Sequence, residues 1–212
     1  MVLIAFQARE GRTVRKLIGL LIVGALLGIG QGVSADPMDD VYAAYDSGDY
    51  ATVLRLVRPM AEQGVPEGQH ALAILYSLGR GVALDYKESQ VWLRKAAAQG
   101  FAASQNRLGS MYEDGEGVLQ DYKEAVRWRR LAAEQGLWLA HLNLGFMYER
   151  GHGVAQDNSR AHMWFNLAAS ENSSFAKDKM AFVASMMTPA QIERAQEMAR
   201  KCQQSKFKDC GW

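Results

Sequence analysis

Excess charge of one sign, cysteine and long apolar runs are all scarce in this chain. Its 24 basic and 23 acidic residues leave a formal net charge of +1. That balance gives no electrostatic reason to expect nucleic acid or an anionic membrane surface as a partner. The only cysteines are Cys202 and Cys210. The seven residues between them fit neither the common redox spacing nor a zinc pair. Four histidines, His70, His141, His152 and His162, show no metal-ligand spacing on one helix or in one loop. No metal or other cofactor is therefore expected. The apolar run Leu17–Ile29 holds 13 residues, short of the ~20 that a membrane-spanning helix needs.

That run has a second meaning. Arg9, Arg12, Arg15 and Lys16 precede it, and Val33-Ser34-Ala35 follows with small residues. Basic start, apolar core and small-residue site are the order of a secretory signal. Residues 1–35 are expected to be a signal peptide cleaved after Ala35, with an uncleaved anchor as the alternative. The long basic start also allows initiation downstream of Met1. No cysteine follows the apolar run, so a lipid anchor is not expected. Cleavage would remove four positive charges and Glu10, taking the net charge from +1 to −2. The product would be periplasmic or secreted, with no stable membrane anchor. In an oxidising compartment Cys202 and Cys210 are expected to form a disulfide. A metal or redox pair is the alternative.

The remaining chain is periodic. Trp92, Trp128 and Trp164 lie 36 residues apart. Tyr76, Tyr112 and Tyr148 keep that interval, as do Gly81, Gly117 and Gly153, and Asp85, Asp121 and Asp157. A fixed period of this length marks a repeat array in which each unit buries its apolar face on the next. In residues 101–136, Ser104, Leu108, Met111 and Tyr112 form one helical stripe. Gly115 and Gly117 stop the helix and open a loop. Val118 is the loop's apolar plug. Asp121 starts a second helix, and Asp121 with Glu124, like Asp85 with Glu88, has capping-box spacing. Arg160 replaces the glutamate in the third unit, so the Asp157 cap should be weaker. A helical hairpin results, with the tryptophan expected between neighbouring units.

Three units are expected over 65–172. Residues 36–64 read as an N-terminal capping helical pair, in which Asp49 aligns with Asp85. After the third unit Asn172 stands where glycine stood. Residues 173–212 read as C-terminal capping helices with a cysteine-containing tail. Thr188, Pro189 and Gln191 mark the start of the last helix.

The string Leu108-Gly109-Ser110-Met111-Tyr112-Glu113-Asp114-Gly115-Glu116-Gly117-Val118, followed by Asp121, Trp128 and Ala132-Ala133-Glu134-Gln135-Gly136, resembles the Sel-1-like repeat. That family is a subset of the tetratricopeptide-like helical-pair solenoids. The resemblance covers about residues 49–172. It implies an all-α fold, a right-handed α-solenoid of helical hairpins (an α/α superhelix) with degenerate end caps. The first helix of each unit would line its inner face. It also implies an adaptor that binds a protein partner. Some cysteine-rich exported members bind or slowly hydrolyse β-lactams, but they carry a cysteine pair in each repeat, and this chain has none there.

Candidate chemistry is thin. Ser174-Phe175-Ala176-Lys177 matches the Ser-x-x-Lys nucleophile motif, yet its companion motifs are absent. A solvated helix start is the plainer reading, and no catalytic residue is assigned. An envelope enzyme or ligand binder acting on β-lactam or peptidoglycan fragments is the alternative function. The acidic stretch Glu113-Asp114-Gly115-Glu116 lacks the alternating ligands of a calcium loop. Function should lie where the units differ. The third unit has Trp138, His141, Leu142 and Phe146 where the second has Ala102, Gln105, Asn106 and Ser110. Trp138, Phe146 and Arg107 are candidate partner-binding residues. The competing reading packs Trp138 and Phe146 against the C-terminal helices.

Overall fold

A computed structural model describes residues 37–170 and 173–211. The expected signal peptide and its cleavage site lie outside the described residues, as does Asn172. Ten helices, and no strand, occur among the described residues. They are α1 (Pro37–Asp46), α2 (Tyr50–Glu62), α3 (Pro66–Leu78), α4 (Tyr86–Ala98), α5 (Ala102–Asp114), α6 (Tyr122–Ala133), α7 (Trp138–Arg150), α8 (Asn158–Ala169), α9 (Ser174–Ala184) and α10 (Pro189–Gln204).

The chain forms two compact units, one ending at Val53 and one running from Leu54. In the first, α1 buries Met38 and Val41, and Tyr45 meets Tyr50 edge-on at 5.5 Å. Gly48 takes a positive φ of 77° to make the turn. The Asp49 carboxylate then accepts the Thr52 N–H at 3.0 Å, starting α2 as an N-cap.

The second unit is an all-α solenoid. Hairpins α3/α4, α5/α6 and α7/α8 follow one another, and α4 and α6 each pack on the first helix of the next hairpin. Both α9 and α10 pack on α8. The first helices end at Gly79, Gly115 and Gly151, with φ of 62°, 72° and 73°. Such left-handed ends suit glycine. The second loop glycine has a further duty. A Cβ on Gly117 would lie 2.7 Å from the Tyr86 Cβ, and one on Gly153 would overlap the Tyr122 carbonyl. These loops therefore seat against the start of the preceding hairpin's second helix.

The helix starts depart from the sequence expectation in one respect. Asp85 accepts the N–H groups of Lys87 and Glu88 at 2.9 and 3.0 Å. Asp121 does the same for Lys123 and Glu124 at 2.9 and 3.1 Å. The reciprocal half of a capping box does not form, because the aspartate N–H is already committed. Those of Asp85, Asp121 and Asp157 donate to the carbonyls of Tyr76, Tyr112 and Tyr148 at 3.0, 2.8 and 3.0 Å. That bond closes the loop. Asp157 caps only the Arg160 N–H; since the glutamate makes no capping bond in the other two units, the missing glutamate is not the reason. At Thr188 and Gln191 both halves of a capping box are present.

The tryptophans are buried unequally. Trp164 is 1% exposed. Trp92 and Trp128 are half-buried. Both still pack on a cluster of Ala73, Leu93, Leu108 and Met111 drawn from two adjacent hairpins. Their outer faces carry cations: Lys95 Nζ lies 3.7 Å from the Trp92 ring centre and Arg127 Cζ 5.0 Å from that of Trp128.

Cys202 and Cys210 form a disulfide that closes the tail. Within it Phe207 takes a positive φ of 64°. Its ring reaches His141 at 4.9 Å between centroids and lies against Gly136. Arg160 donates to the Gly211 carbonyl. No helix among the described residues is long and apolar enough to cross a membrane.

Candidate functional site

Packing accounts for several side chains that the sequence placed on the variable surface. His141 is 1% exposed and Gln105 5%. Asn106 and Leu142 are buried as well. The reason is a second polar period. Gln69, Gln105 and His141 stand 36 residues apart. Each bonds the carbonyl eight residues earlier: Ala61 at 3.4 Å, Ala97 at 3.2 Å and Ala133 at 3.1 Å. Those carbonyls lie in the last turn of a helix and also accept the N–H groups of Gly64, Gly100 and Gly136 at 3.1, 3.0 and 2.9 Å, so the side chain occupies the second lone pair left free at a helix end. Gln99 then donates to Gln69 at 2.8 Å, and Gln135 to Gln105 at 2.8 Å. These residues clamp successive elements together. The Gln/Gln/His register with Ala61, Ala97 and Ala133 was present in the sequence as a signal.

His141 is the odd member. Its ring lies between Trp164 at 5.6 Å and Phe207 at 4.9 Å. Burial lowers its pKa to about 4, although the bond to the Ala133 carbonyl acts in the opposite direction. The ring is therefore neutral, with Nε2 as the donor. His162 is also shifted down by burial. His152, read as a surface residue, is half-buried, with its ring 4.4 Å from that of Tyr122.

A third period ties hairpins together through arginine and tyrosine. Arg94 donates to the Tyr112 hydroxyl at 2.5 Å, and Arg130 to that of Tyr148 at 3.4 Å. Arg129 is different: it is 3% exposed and pairs with Glu113 at 2.5 Å. It passes over Gly109, where a Cβ would stand 2.7 Å from the arginine Cγ.

What remains open is one face of the row of first helices. The row is continuous. His70 Nδ1 meets Ser104 Oγ at 2.9 Å between α3 and α5. Asn143 donates to Asn106 at 3.1 Å between α7 and α5. Phe146 meets Phe175 at 6.1 Å between α7 and α9. Helix α9 thus joins the row, and its register continues the array. Ala176 and Val183 are buried, as are Ala140 and Met147 one period earlier.

The candidate residues sit in this row, but not together. Arg107 lies on α5 and forms an ion pair with Glu116 at 2.9 Å. Its charge, after burial, is the second cause that lowers the pKa of His70 to about 4. Trp138 is half-buried at the start of α7, against the apolar cluster of the third hairpin. Phe146 meets Phe165 edge-on at 5.2 Å and Phe175 on α9. Ser174 and Lys177 are both exposed in the first turn of α9. The cap there is Ser173, which accepts the Ala176 N–H at 3.2 Å. No cluster of three or more histidine, cysteine or carboxylate groups suited to a metal ion exists among the described residues.

Comparison with known proteins follows the same lines. The model of the Sel1 repeat matches residues 66–101, 102–137 and 138–173. The chain is similar to a Sel1 repeat protein from Oxalobacter formigenes, with 30% identity and a TM-score of 0.62 over 68% of this chain and 59% of that one. It is also similar to c5321, a protective antigen of uropathogenic Escherichia coli strains with an SLR fold. There the identity is 29% and the TM-score 0.56, over 73% of this chain and 42% of that one. The match thus spans less than two thirds of either relative. No curated protein sequence matches. Sel1 repeats are generally scaffolds for protein–protein interaction. With its matched repeats covering half of its length, the chain belongs to the Sel1 repeat family.

Proposed function

We propose that this protein is an exported, non-enzymatic adaptor that engages a protein partner along the row of first helices. The observation that carries this reading is a division of labour. The repeated residues are consumed in caps, loop closures and clamps, whereas the open slots of the row differ from unit to unit. At positions 107, 143 and 179 they read Arg, Asn and Lys; at 110, 146 and 182 they read Ser, Phe and Phe. Trp138, Phe146 and Arg107 contribute to the partner surface in this proposal. Trp138 and Phe146 also pack on the array, so their two roles must be separated by experiment.

Export rests on the arrangement of residues 1–35, with cleavage after Ala35 and a periplasmic or secreted product. The disulfide between Cys202 and Cys210 supports an oxidising compartment. Trp138→Ala is the test. A variant that melts like the parent and fails to retain a partner cross-linked by the parent supports the adaptor surface. A large fall in melting temperature assigns Trp138 to packing instead.

A further inference from the structure

The open face changes character along the row. Where α5 offers Arg107, Ser110 and Asp114, the slots one period on in α7 are Asn143, Phe146 and Arg150. One period further stand Lys179 and Phe182 on α9 and Met186 in the turn that follows it. Phe175 and Phe182 on α9 and Met186 just beyond its end are 52%, 55% and 50% exposed, a concentration of exposed large apolar side chains that is unusual at one place on a surface. Lys179 lies among the aromatic rings. Its Nζ is 5.3 Å from the centre of Phe146, 5.9 Å from Phe175 and 5.7 Å from Phe182. Arg150 Cζ is 5.2 Å from the Phe146 ring centre.

Neither Lys179 nor Arg150 has a carboxylate at ion-pair distance among the described residues. Cations held over ring faces keep an unneutralised charge and a strong capacity to bond an anion. Glu149 and Asp178 are sequence neighbours of the patch, one on each helix, and leave these two cations unpaired.

We infer that the Phe146–Lys179 patch docks an acidic amphipathic segment of a partner protein, with aspartate or glutamate interleaved with aromatic or aliphatic residues. Charge complementarity selects the acidic residues, which pair with Lys179 and Arg150. The apolar residues cover Phe175, Phe182 and Met186. A basic segment would meet like charge at the centre of the same patch. This inference rests on the adaptor reading and narrows it to one end of the row and one partner chemistry.

The test uses the purified chain and a fluorescein-labelled peptide of alternating glutamate with phenylalanine and leucine. A twin peptide carries lysine at every glutamate. The acidic peptide should raise anisotropy and weaken at least tenfold as salt rises from low to physiological strength. Phe182→Ser should weaken it about tenfold or more without moving the melting curve, since the ring is exposed. Lys179→Glu should reverse the preference in favour of the lysine twin. Equal binding of the two peptides by the parent, or an unchanged preference in Lys179→Glu, overturns the inference. So does binding to phosphatidylglycerol-containing vesicles or self-association in sedimentation, if either is lost in Phe182→Ser. Photo-cross-linking from Ser110 tests the broader reading separately. A defined partner captured there, with no acidic segment and no response to Lys179→Glu, keeps the adaptor and removes this docking site.

Discussion

Where the two helices of a hairpin cross, the second hairpin sets Gly109 beneath Arg129 and the third sets Gly145 beneath Phe165. Both glycines are required by the approach: a Cβ on Gly145 would stand 2.5 Å from the Phe165 ring. The backbone solution is shared and the filling is not. A buried arginine is tolerable in the second hairpin because Glu113 completes its charge. The third hairpin uses an aromatic ring and is covered by α9, α10 and the disulfide-closed tail. That cover explains why Trp164 is buried while Trp128 is only half-buried. Repetition thus fixes the spacing of helices, and neighbours decide how dry each hairpin is.

The largest test of this contrast removes each filler. Phe165→Ala should cost about 3–5 kcal/mol in urea denaturation, the usual penalty for emptying a well-packed aromatic site. Arg129→Met combined with Glu113→Leu should change stability by less than about 1 kcal/mol, since apolar side chains then replace both members of a costly buried ion pair. Equal penalties in the two variants would show that the ion pair is as important to packing as the ring.

The next contrast is between the clamp residues Gln69, Gln105 and His141. Only the last can titrate. Its folded pKa is about 4, set by burial, against about 6.5 in the unfolded chain. Above pH 6.5 neither state binds the proton. As pH falls from 6.5 towards 4 the unfolded chain binds it first, so stability is lost over that window by an amount on the order of 3 kcal/mol. His70 shifts in the same direction and adds to the loss. His141→Gln restores the side chain of the other two clamps. It should remove about half of the decline, read as melting temperature from pH 7 to pH 4. An unaltered pH profile in this variant would place the acid sensitivity elsewhere.

The clamp also shows what a single sequence reveals. Glycine, tryptophan and aspartate at a 36-residue interval were enough to place the hairpins, because each has one geometric job in every unit. Gln105 and His141 read as variable surface slots because they are chemically unlike and polar, and polar slots outside an apolar stripe look like surface. Their burial depends on a carbonyl at the end of the preceding helix, a partner that helical periodicity does not show. The aspartate caps were half legible: the acceptor was visible, but the carbonyl that takes the aspartate N–H belongs to a residue nine positions earlier. Phe175, Lys179 and Phe182 keep the register of the array although glycine and tryptophan drop out beyond it. The open face of α9 was therefore hidden behind the loss of the obvious markers.

The cover over the third hairpin can be loosened from its far end. The disulfide between Cys202 and Cys210 holds the turn from which Phe207 reaches His141. Replacing both cysteines by serine should cost about 2–3 kcal/mol in the chain-entropy model for so short a loop. Added reductant should destabilise the parent equally and leave the double variant unchanged. Denaturation with and without reductant reads both. If the double variant and the reduced parent match the oxidised parent, the tail contributes nothing to covering the hairpin.

The smallest effect distinguishes the hairpins by their caps. Asp121 holds two N–H groups and Asp157 holds one. Asp121→Ala should therefore cost about 1 kcal/mol and Asp157→Ala roughly half of that, within the usual range for N-cap loss. The contrast has a complication that can be controlled. Arg160 also approaches the Asp157 carboxylate at 3.6 Å, an exposed pair that salt screens. At high salt the cap difference should persist, because hydrogen bonds to backbone N–H groups are local, whereas any ion-pair contribution at Asp157 should fade. A larger loss at Asp157 than at Asp121 under those conditions would mean that bond count does not set the strength of these caps.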